Sequence, residues 1–310
     1  MLQFGIDLGG TKTEIIVLDA EGNTLLRERS PTPSHSYTDI VHNITRMVKA
    51  AHSATGNRDF TLGIGIPGAM SPATGLVKNA NTTCLIGQDL QGDLQRAIGC
   101  PVTIANDADC FALSEASDGA GAGYGNVFAV IIGTGCGGGW VVNGGLVSGP
   151  NAIAGEWGHN PLQWRADSDS QIDCYCGQKG CLETLLSGTG LRQQAAKETG
   201  VEQPAQLWQQ AAEAGDTQAI EVLNNYYLRL AKALAGVINL MDPHVIVLGG
   251  GVSNMPGIYE AVPRLWSDYV FSDTVVTPLK QAQHGDSSGV RGAAWLGARS
   301  SAWLGARSSA

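Results

Sequence analysis

An α/β fold is predicted from three features of this 310-residue sequence. Stretches of strand character alternate with stretches of helical periodicity, and a unit of strand, glycine loop and strand occurs twice. The length suits two domains at roughly 150 residues each. Hydrophobic residues make up 43% and charged residues 15%, with no long polar tract, so the composition excludes a disordered chain. The formal net charge of −9, without any cluster of Lys and Arg, argues against nucleic acid or an anionic membrane surface as partner. The longest uncharged apolar stretch, Val127–Val142, contains five glycines. It falls short of the roughly 18–20 apolar residues of a membrane span. The first residues lack the basic head and apolar run of a secretory leader, so a cytoplasmic protein is expected.

Met1 to Asp7 alternates as a strand and runs into a glycine turn; strands Glu14–Leu18 and Thr24–Arg29 follow, separated by the acidic turn Asp19–Asn23 and ended by Pro31. Between Ser36 and Ser53, Ile40, Ile44, Met47, Val48 and Ala51 recur at helical spacing, behind Ser34 or Ser36 as cap. A strand Phe60–Ile66 is stopped by Pro67-Gly68, and a loop then reaches Asp89. A helix to Ile98, a strand Val102–Ala105 and a helix after Asp107 come next. The pattern restarts with strand Asn126–Ile132, the glycine loop 133–139 and strand Trp140–Asn143. After an irregular passage from Gly149 to Gly190 the chain turns helical, most clearly over Ala219–Met241, which Pro243 stops. Val245–Leu248 reads as a buried strand ending in Gly249-Gly250-Gly251, and His284–Gly289 leads into a short helix. The octet at Ala294–Ser301 is repeated directly afterwards. Two such copies are far too short for a solenoid of roughly 20–50-residue repeats, so residues from about 297 are expected to form a tail.

Each glycine-rich turn, Asp7-Leu8-Gly9-Gly10-Thr11-Lys12 and Gly133-Thr134-Gly135-Cys136-Gly137-Gly138-Gly139, closes a strand. Glycine lets the backbone approach a ligand, so amide groups and a threonine hydroxyl can point at phosphate oxygens. A ligand-free hairpin is the alternative for either loop alone; two matched loops favour phosphate clamps. Neither opens a helix, as a P-loop or a dinucleotide fingerprint would. Asn106-Asp107 stands where a strand gives way to a helix. It reads either as a helix N-cap or as a carboxylate placed to take a proton from a hydroxyl during phosphoryl transfer. Of seven cysteines, Cys84, Cys100, Cys110 and Cys136 are scattered singly and suit buried thiols. The other three lie in Cys174-Tyr175-Cys176-Gly177-Gln178-Lys179-Gly180-Cys181, downstream of Gly155-Glu156-Trp157-Gly158-His159. Three thiolates on a glycine-jointed loop plus an imidazole make the Cys₃His set of a structural zinc site; a redox pair or free thiols is the alternative.

These motifs together resemble the ROK family of repressors, open reading frames and sugar kinases. The matching segments are Asp7–Lys12, Gly65–Gly68, Asn106–Ala108, Gly133–Gly139, Gly155–His159, Cys174–Glu183 and Val247–Gly251. The resemblance implies an actin-like, ribonuclease-H-like fold of two lobes with ATP and sugar in the cleft. By it, the first lobe is residues 1–108 completed by a C-terminal helix at about 286–296, the second is 109–285 with the zinc loop, and 297–310 is the repeat tail. It further implies Asp107 as catalytic base and sugar contacts from Gly68, Asn81, Asn106, Glu156, His159 and Glu183. Nucleotide contacts are implied for Gly9, Gly10, Thr11, Lys12, Gly133, Thr134, Gly135, Gly137, Gly138, Gly249 and Gly250, with Asp7 helping to organise magnesium. Zinc is implied on His159, Cys174, Cys176 and Cys181. Asn-Pro-Leu after His159, the Gly133–Gly137 turn and the ending from His284 look most like bacterial fructokinases, so ATP-dependent phosphorylation of the 6-hydroxyl of a hexose, D-fructose first, is expected. N-acetylglucosamine kinase is the alternative, and a sugar-sensing regulator without catalysis is the alternative of another class. The implied partner is a small-molecule hexose, and the implied assembly a homodimer. Trp140 and the repeated tail depart from the family pattern.

Overall fold

The computed structural model describes residues 1–167, 169 and 172–308, with backbone alone for Asp286 and for 300–308. The chain divides into two compact units. One comprises Met1–Gly123, Gly139–Ala154 and the chain from Asp286 onward; the other comprises Tyr124–Gly138 and Gly155–Gly285.

In the first unit, β1 (Leu2–Leu8), β2 (Lys12–Leu18) and β3 (Thr24–Pro31) form an antiparallel meander. Helix α1 (Tyr37–Ala54) starts at Ser36, whose hydroxyl accepts from the Asp39 amide, which settles the choice between Ser34 and Ser36. Strand β4 (Phe60–Ile66), the small ladder of β5 (Ala69–Met70) and β6 (Val77–Lys78), helix α2 (Leu90–Ile98), strand β7 (Val102–Asn106) and helix α3 (Asp107–Asp118) follow. Strands β1, β4 and β7 run parallel in a sheet of order β3-β2-β1-β4-β7. Alternation along β1 puts Leu2, Phe4, Ile6 and Leu8 into one core with Ile40, Ile44 and Met47 of α1. Gly5 and Asp7 therefore belong to the opposite face.

The second unit begins with β8 (Asn126–Ile132), and β9 (Cys136–Val142) carries the chain on to β10 (Gly145–Leu146). Helices α4 (Glu183–Leu186), α5 (Gly188–Thr199), α6 (Ala205–Glu213) and α7 (Thr217–Met241) precede β11 (Val245–Gly249), α8 (Gly257–Trp266) and β12 (Leu279–Gln281). The sheet order is β10-β9-β8-β11-β12, with β8, β11 and β12 parallel. Strand β9 starts at Cys136, earlier than the expected Trp140, so Gly137–Gly139 are strand residues rather than loop. Helix α8 and strand β12 carry no clear sequence signal. Pro263 stands inside α8, whose identity rests on the buried row Ile258, Val262 and Trp266.

The terminal helix α9 (Ser288–Ser308) corrects two expectations: it is long rather than short, and the chain from 297 to 308 is helical rather than a tail. Ser309, the end of the second repeat copy, and Ala310 lie outside the described residues. The first part of α9 packs closely on the strand face that Gly5 and Gly63 leave bare. A Cβ at Gly63 would lie 2.0 Å from the Ala293 carbonyl oxygen and 2.8 Å from the Gly297 amide. On its other side α9 meets α3, where a Cβ at Gly292 would lie 1.6 Å from the Cys110 carbonyl oxygen. Ser288 donates to buried Glu115, and Arg291 pairs with Asp118. These contacts place α3 in the first unit, so the boundary falls after Gly123 rather than at 108, and residues 139–154 return to that unit. Among the described residues no helix is long and apolar enough to cross a membrane.

Candidate active site

In the first unit the strand ends deliver the chemistry-bearing residues. The turn between β1 and β2 is closed by the Gly9 amide donating to the Lys12 carbonyl at 3.0 Å, and the Thr32 hydroxyl donates to the Gly9 carbonyl at 2.7 Å. Gly10, Thr11 and Lys12 are left exposed at its tip. Where β7 meets α3, Asn106 is the N-cap: its Oδ1 accepts from the Ala108 amide at 2.7 Å, and its Nδ2 donates to the Gly68 carbonyl at 3.2 Å. Capping thus falls to Asn106 and leaves Asp107, the first helical residue, exposed, with Oδ1 2.8 Å from the same amide. Gly68 has φ +139°, and a Cβ there would lie 2.8 Å from the Lys78 carbonyl oxygen, so glycine is required. Asn81 is exposed one residue beyond Ala80, whose Cα touches Gly68.

Asp7 is the last residue but one of β1 and lies on the α9 side, its carboxylate close to Gly289. Burial first, then the charges of Asp107 and Glu14, push its carboxyl from 3.8 up to about 6, against the opposing pull of Lys12 and Arg29. Glu14 itself is buried and paired with Arg27 and Arg29.

In the second unit, three sequence motifs converge on one loop. The Cys136 amide donates to Oε2 of Glu183 at 3.0 Å, and the Trp157 indole N–H donates to the Gly137 carbonyl at 3.2 Å. A Cβ at Gly158 would lie 2.0 Å from the Cys136 carbonyl oxygen, and one at Gly138 would lie 2.9 Å from the Trp157 ring. Gly138, expected to contact nucleotide, is therefore buried under Trp157, and the bend proper is Gly133–Gly135, with Thr134 exposed. The Gly188 amide donates to the Gly133 carbonyl at 2.8 Å, which ties the start of α5 to that bend. Gly250 (φ +83°) lies against the end of β8, where a Cβ would meet the Ile132 carbonyl oxygen at 2.4 Å, and Gly249 pairs with Ile131. Glu156 is exposed.

His159, Cys174, Cys176 and Cys181 bring their donor atoms within 4.8 Å of one another. The Cys176 and Cys181 sulfurs are 3.6 Å apart, and His159 Nδ1 is 3.6 Å from the Cys174 sulfur. Tetrahedral zinc with bonds of about 2.3 Å to sulfur has ligand edges of about 3.8 Å, so four such donors suit that ion. His159 Nε2 is 3.0 Å from the Tyr175 hydroxyl. Local desolvation, then the charges of Glu183, Cys174 and Glu156, push the Tyr175 phenol up to about 12.

The model of the ROK family matches residues 3–300. The chain belongs to the ROK family. This ROK chain is 38% identical over 301 residues to an N-acetyl-D-glucosamine kinase of Pasteurella multocida, covering 95% of the chain and 99% of that relative. Its fold matches a ROK hexokinase from Thermus thermophilus with a TM-score of 0.86 and 30% identity, covering 97% of this chain and 99% of that one. A ROK family glucokinase from Streptomyces griseus, solved in complex with glucose and AMPPNP, matches with a TM-score of 0.75 and 28% identity over 96% of this chain and 100% of that one. The fold is the actin-like α/β fold of ROK kinases.

Sequence reading of this ROK protein missed the anchoring role of Trp157, which its place inside a quoted motif could have flagged, and the position of Tyr175, which carries no local signal. It also missed Thr82, whose buried hydroxyl has no hydrogen-bond partner among the described residues and lies beside Gly10. The raised carboxyl of Asp7 gives a testable sign. Its ionisation destabilises the fold: the cost is absent below pH 3.8, grows up to about pH 6 and is complete above that. In nucleotide-free protein, Asp7→Asn is expected to raise the unfolding free energy at pH 8 by on the order of 2 kcal/mol and to leave it unchanged at pH 3. Urea denaturation at the two pH values checks this, and equal effects at both would sink the assignment.

Proposed function

We propose that this chain is an ATP-dependent hexose kinase acting on the 6-hydroxyl, with N-acetyl-D-glucosamine as preferred substrate. The observation that carries it is the hydrogen bond between Glu183 and the Cys136 amide. The residue read as a sugar contact clamps the loop read as a phosphate clamp, which is the coupling a phosphotransferase needs to hold donor and acceptor in register. Fructose, favoured by motif wording, yields first place because the Pasteurella N-acetyl-D-glucosamine kinase aligns along 95% of the chain.

In this reading Asp107 accepts the hydroxyl proton as the sugar oxygen attacks the γ-phosphorus. The bond from that phosphorus to the ADP oxygen breaks as the new one forms. An exposed carboxylate at the first turn of α3 is suited to this, since Asn106 already caps the helix. Backbone amides at the Gly9–Thr11 and Gly133–Gly135 bends bind phosphate oxygens. Asp7 orients the magnesium that accompanies ATP, and that ion, when bound, neutralises phosphate charge. His159, Cys174, Cys176 and Cys181 hold zinc, which supplies rigidity rather than a nucleophile.

The test is ADP release with ATP and magnesium across N-acetyl-D-glucosamine, glucose, mannose and fructose. We expect kcat/KM for N-acetyl-D-glucosamine to exceed the others by at least about tenfold, the size of discrimination a few pocket contacts supply. A fructose preference would restore the motif-based reading, and no turnover with any sugar would overturn the kinase reading.

A further inference from the structure

We infer that Tyr175 is a sugar-contacting residue of this enzyme, an inference that rests on the kinase reading above. His159 has two ring nitrogens with different duties. Nδ1 faces the Cys174 sulfur at 3.6 Å and belongs to the metal set. With Nδ1 committed, Nε2 carries the proton and is the one atom of the ring left to hydrogen-bond a sugar. That nitrogen points at the Tyr175 hydroxyl, 3.0 Å away. A sugar oxygen accepting from Nε2 must therefore share the donor with the Tyr175 hydroxyl or take its place, so it arrives at the atom that Tyr175 now touches.

The ring is also presented as a binding surface. Tyr175 is 81% exposed, although its ring and that of His159 stand at 87° with centroids 5.2 Å apart. Its two chain neighbours, Cys174 and Cys176, are both in the metal set, so the backbone on each side is tethered. An exposed aromatic with its hydroxyl anchored and its backbone pinned loses little freedom on contact, and its apolar face matches the C–H face of a pyranose. The side chain thus combines a hydrogen-bonding tip at His159 with an apolar platform beside it, the mixture found in small-ligand sites.

The experiment compares wild type, Tyr175→Ala and Tyr175→Phe by steady-state kinetics with N-acetyl-D-glucosamine, by zinc content, and by calorimetric sugar binding in an Asp107→Asn background without turnover. Tyr175→Ala should raise the KM and the Kd for sugar about tenfold, the upper range for losing an aromatic contact, with kcat within about twofold and the KM for ATP unchanged. Tyr175→Phe, which keeps the platform, should recover most of that loss, and both variants should retain full zinc. Unchanged sugar KM and Kd in Tyr175→Ala, or a loss that added zinc restores, would overturn the inference while leaving wild-type turnover, and with it the kinase reading, intact. A wild type that turns over no sugar would overturn both.

Discussion

Asp107→Asn is expected to lower kcat by roughly 10²–10⁴-fold, the usual share of a general base, while sugar and ATP still bind. The substitution is close to isosteric, and the local structure can absorb it. Asn106 Oδ1 accepts from the Ala108 amide at 2.7 Å, so the cap of α3 does not depend on Asp107. What the helix loses is one negative charge in its first turn, worth roughly 0.3–1 kcal/mol against the macrodipole. That stability effect is too small to account for a thousandfold loss of rate, so the two readings separate cleanly. Removing the charge should also ease the burden on Asp7, whose carboxyl Asp107 helps to raise. Kinetics together with thermal unfolding and calorimetric sugar binding check the prediction. A variant that keeps kcat within a few fold of wild type, or that loses sugar binding altogether, would remove Asp107 from the role of base.

Stripping the metal, by chelation or by Cys181→Ser, is expected to disturb nucleotide binding as well as sugar binding. Cys181 is buried, and its neighbour by two positions, Glu183, accepts the Cys136 amide. His159 closes the short segment that holds Trp157 and Gly158 against Cys136 and Gly137. The residues proposed to hold zinc thus flank, on both sides, the residues that hold the second glycine loop. Losing the ion should cost at least about 3 kcal/mol of stability, since structural zinc sites in small peptides reach apparent values of about 10–16 kcal/mol. At roughly 2–4 °C per kcal/mol for a chain somewhat smaller than this one, Tm should fall by on the order of 10 °C. The KM for ATP should rise along with that for sugar. Metal analysis, thermal unfolding and kinetics before and after chelation measure these effects. Fully active protein without zinc would eliminate the metal site, and a sugar effect with unchanged ATP KM would detach the metal set from the glycine loop.

Much of the fold was legible locally. The alternation of Leu2, Phe4, Ile6 and Leu8 marks a strand, and the spacing of Ile40, Ile44 and Met47 marks a helix, because each pattern reflects a backbone period confined to neighbouring residues. The three cysteines within eight residues were legible for the same reason: a short glycine-jointed loop can bring its own sulfurs together. Where signals conflicted, the reading failed. Pro263 masked α8, and the octet repeat masked the length of α9, since neither a breaker residue nor a repeat reports what the segment packs against.

By itself, then, the sequence determined an α/β chain with two glycine turns, an Asn-Asp pair at a strand-to-helix junction, and a loop of three cysteines, all built from contacts between near neighbours. The tertiary structure alone decided how these parts act on one another. It joined Glu183 to an amide 47 residues away and Trp157 to a carbonyl 20 residues away, laid α9 across Gly5 and Gly63, raised the carboxyl of Asp7, and set Tyr175 against His159. Such couplings depend on which distant segments share a packed surface, and no periodicity or spacing within one segment records what will lie against it.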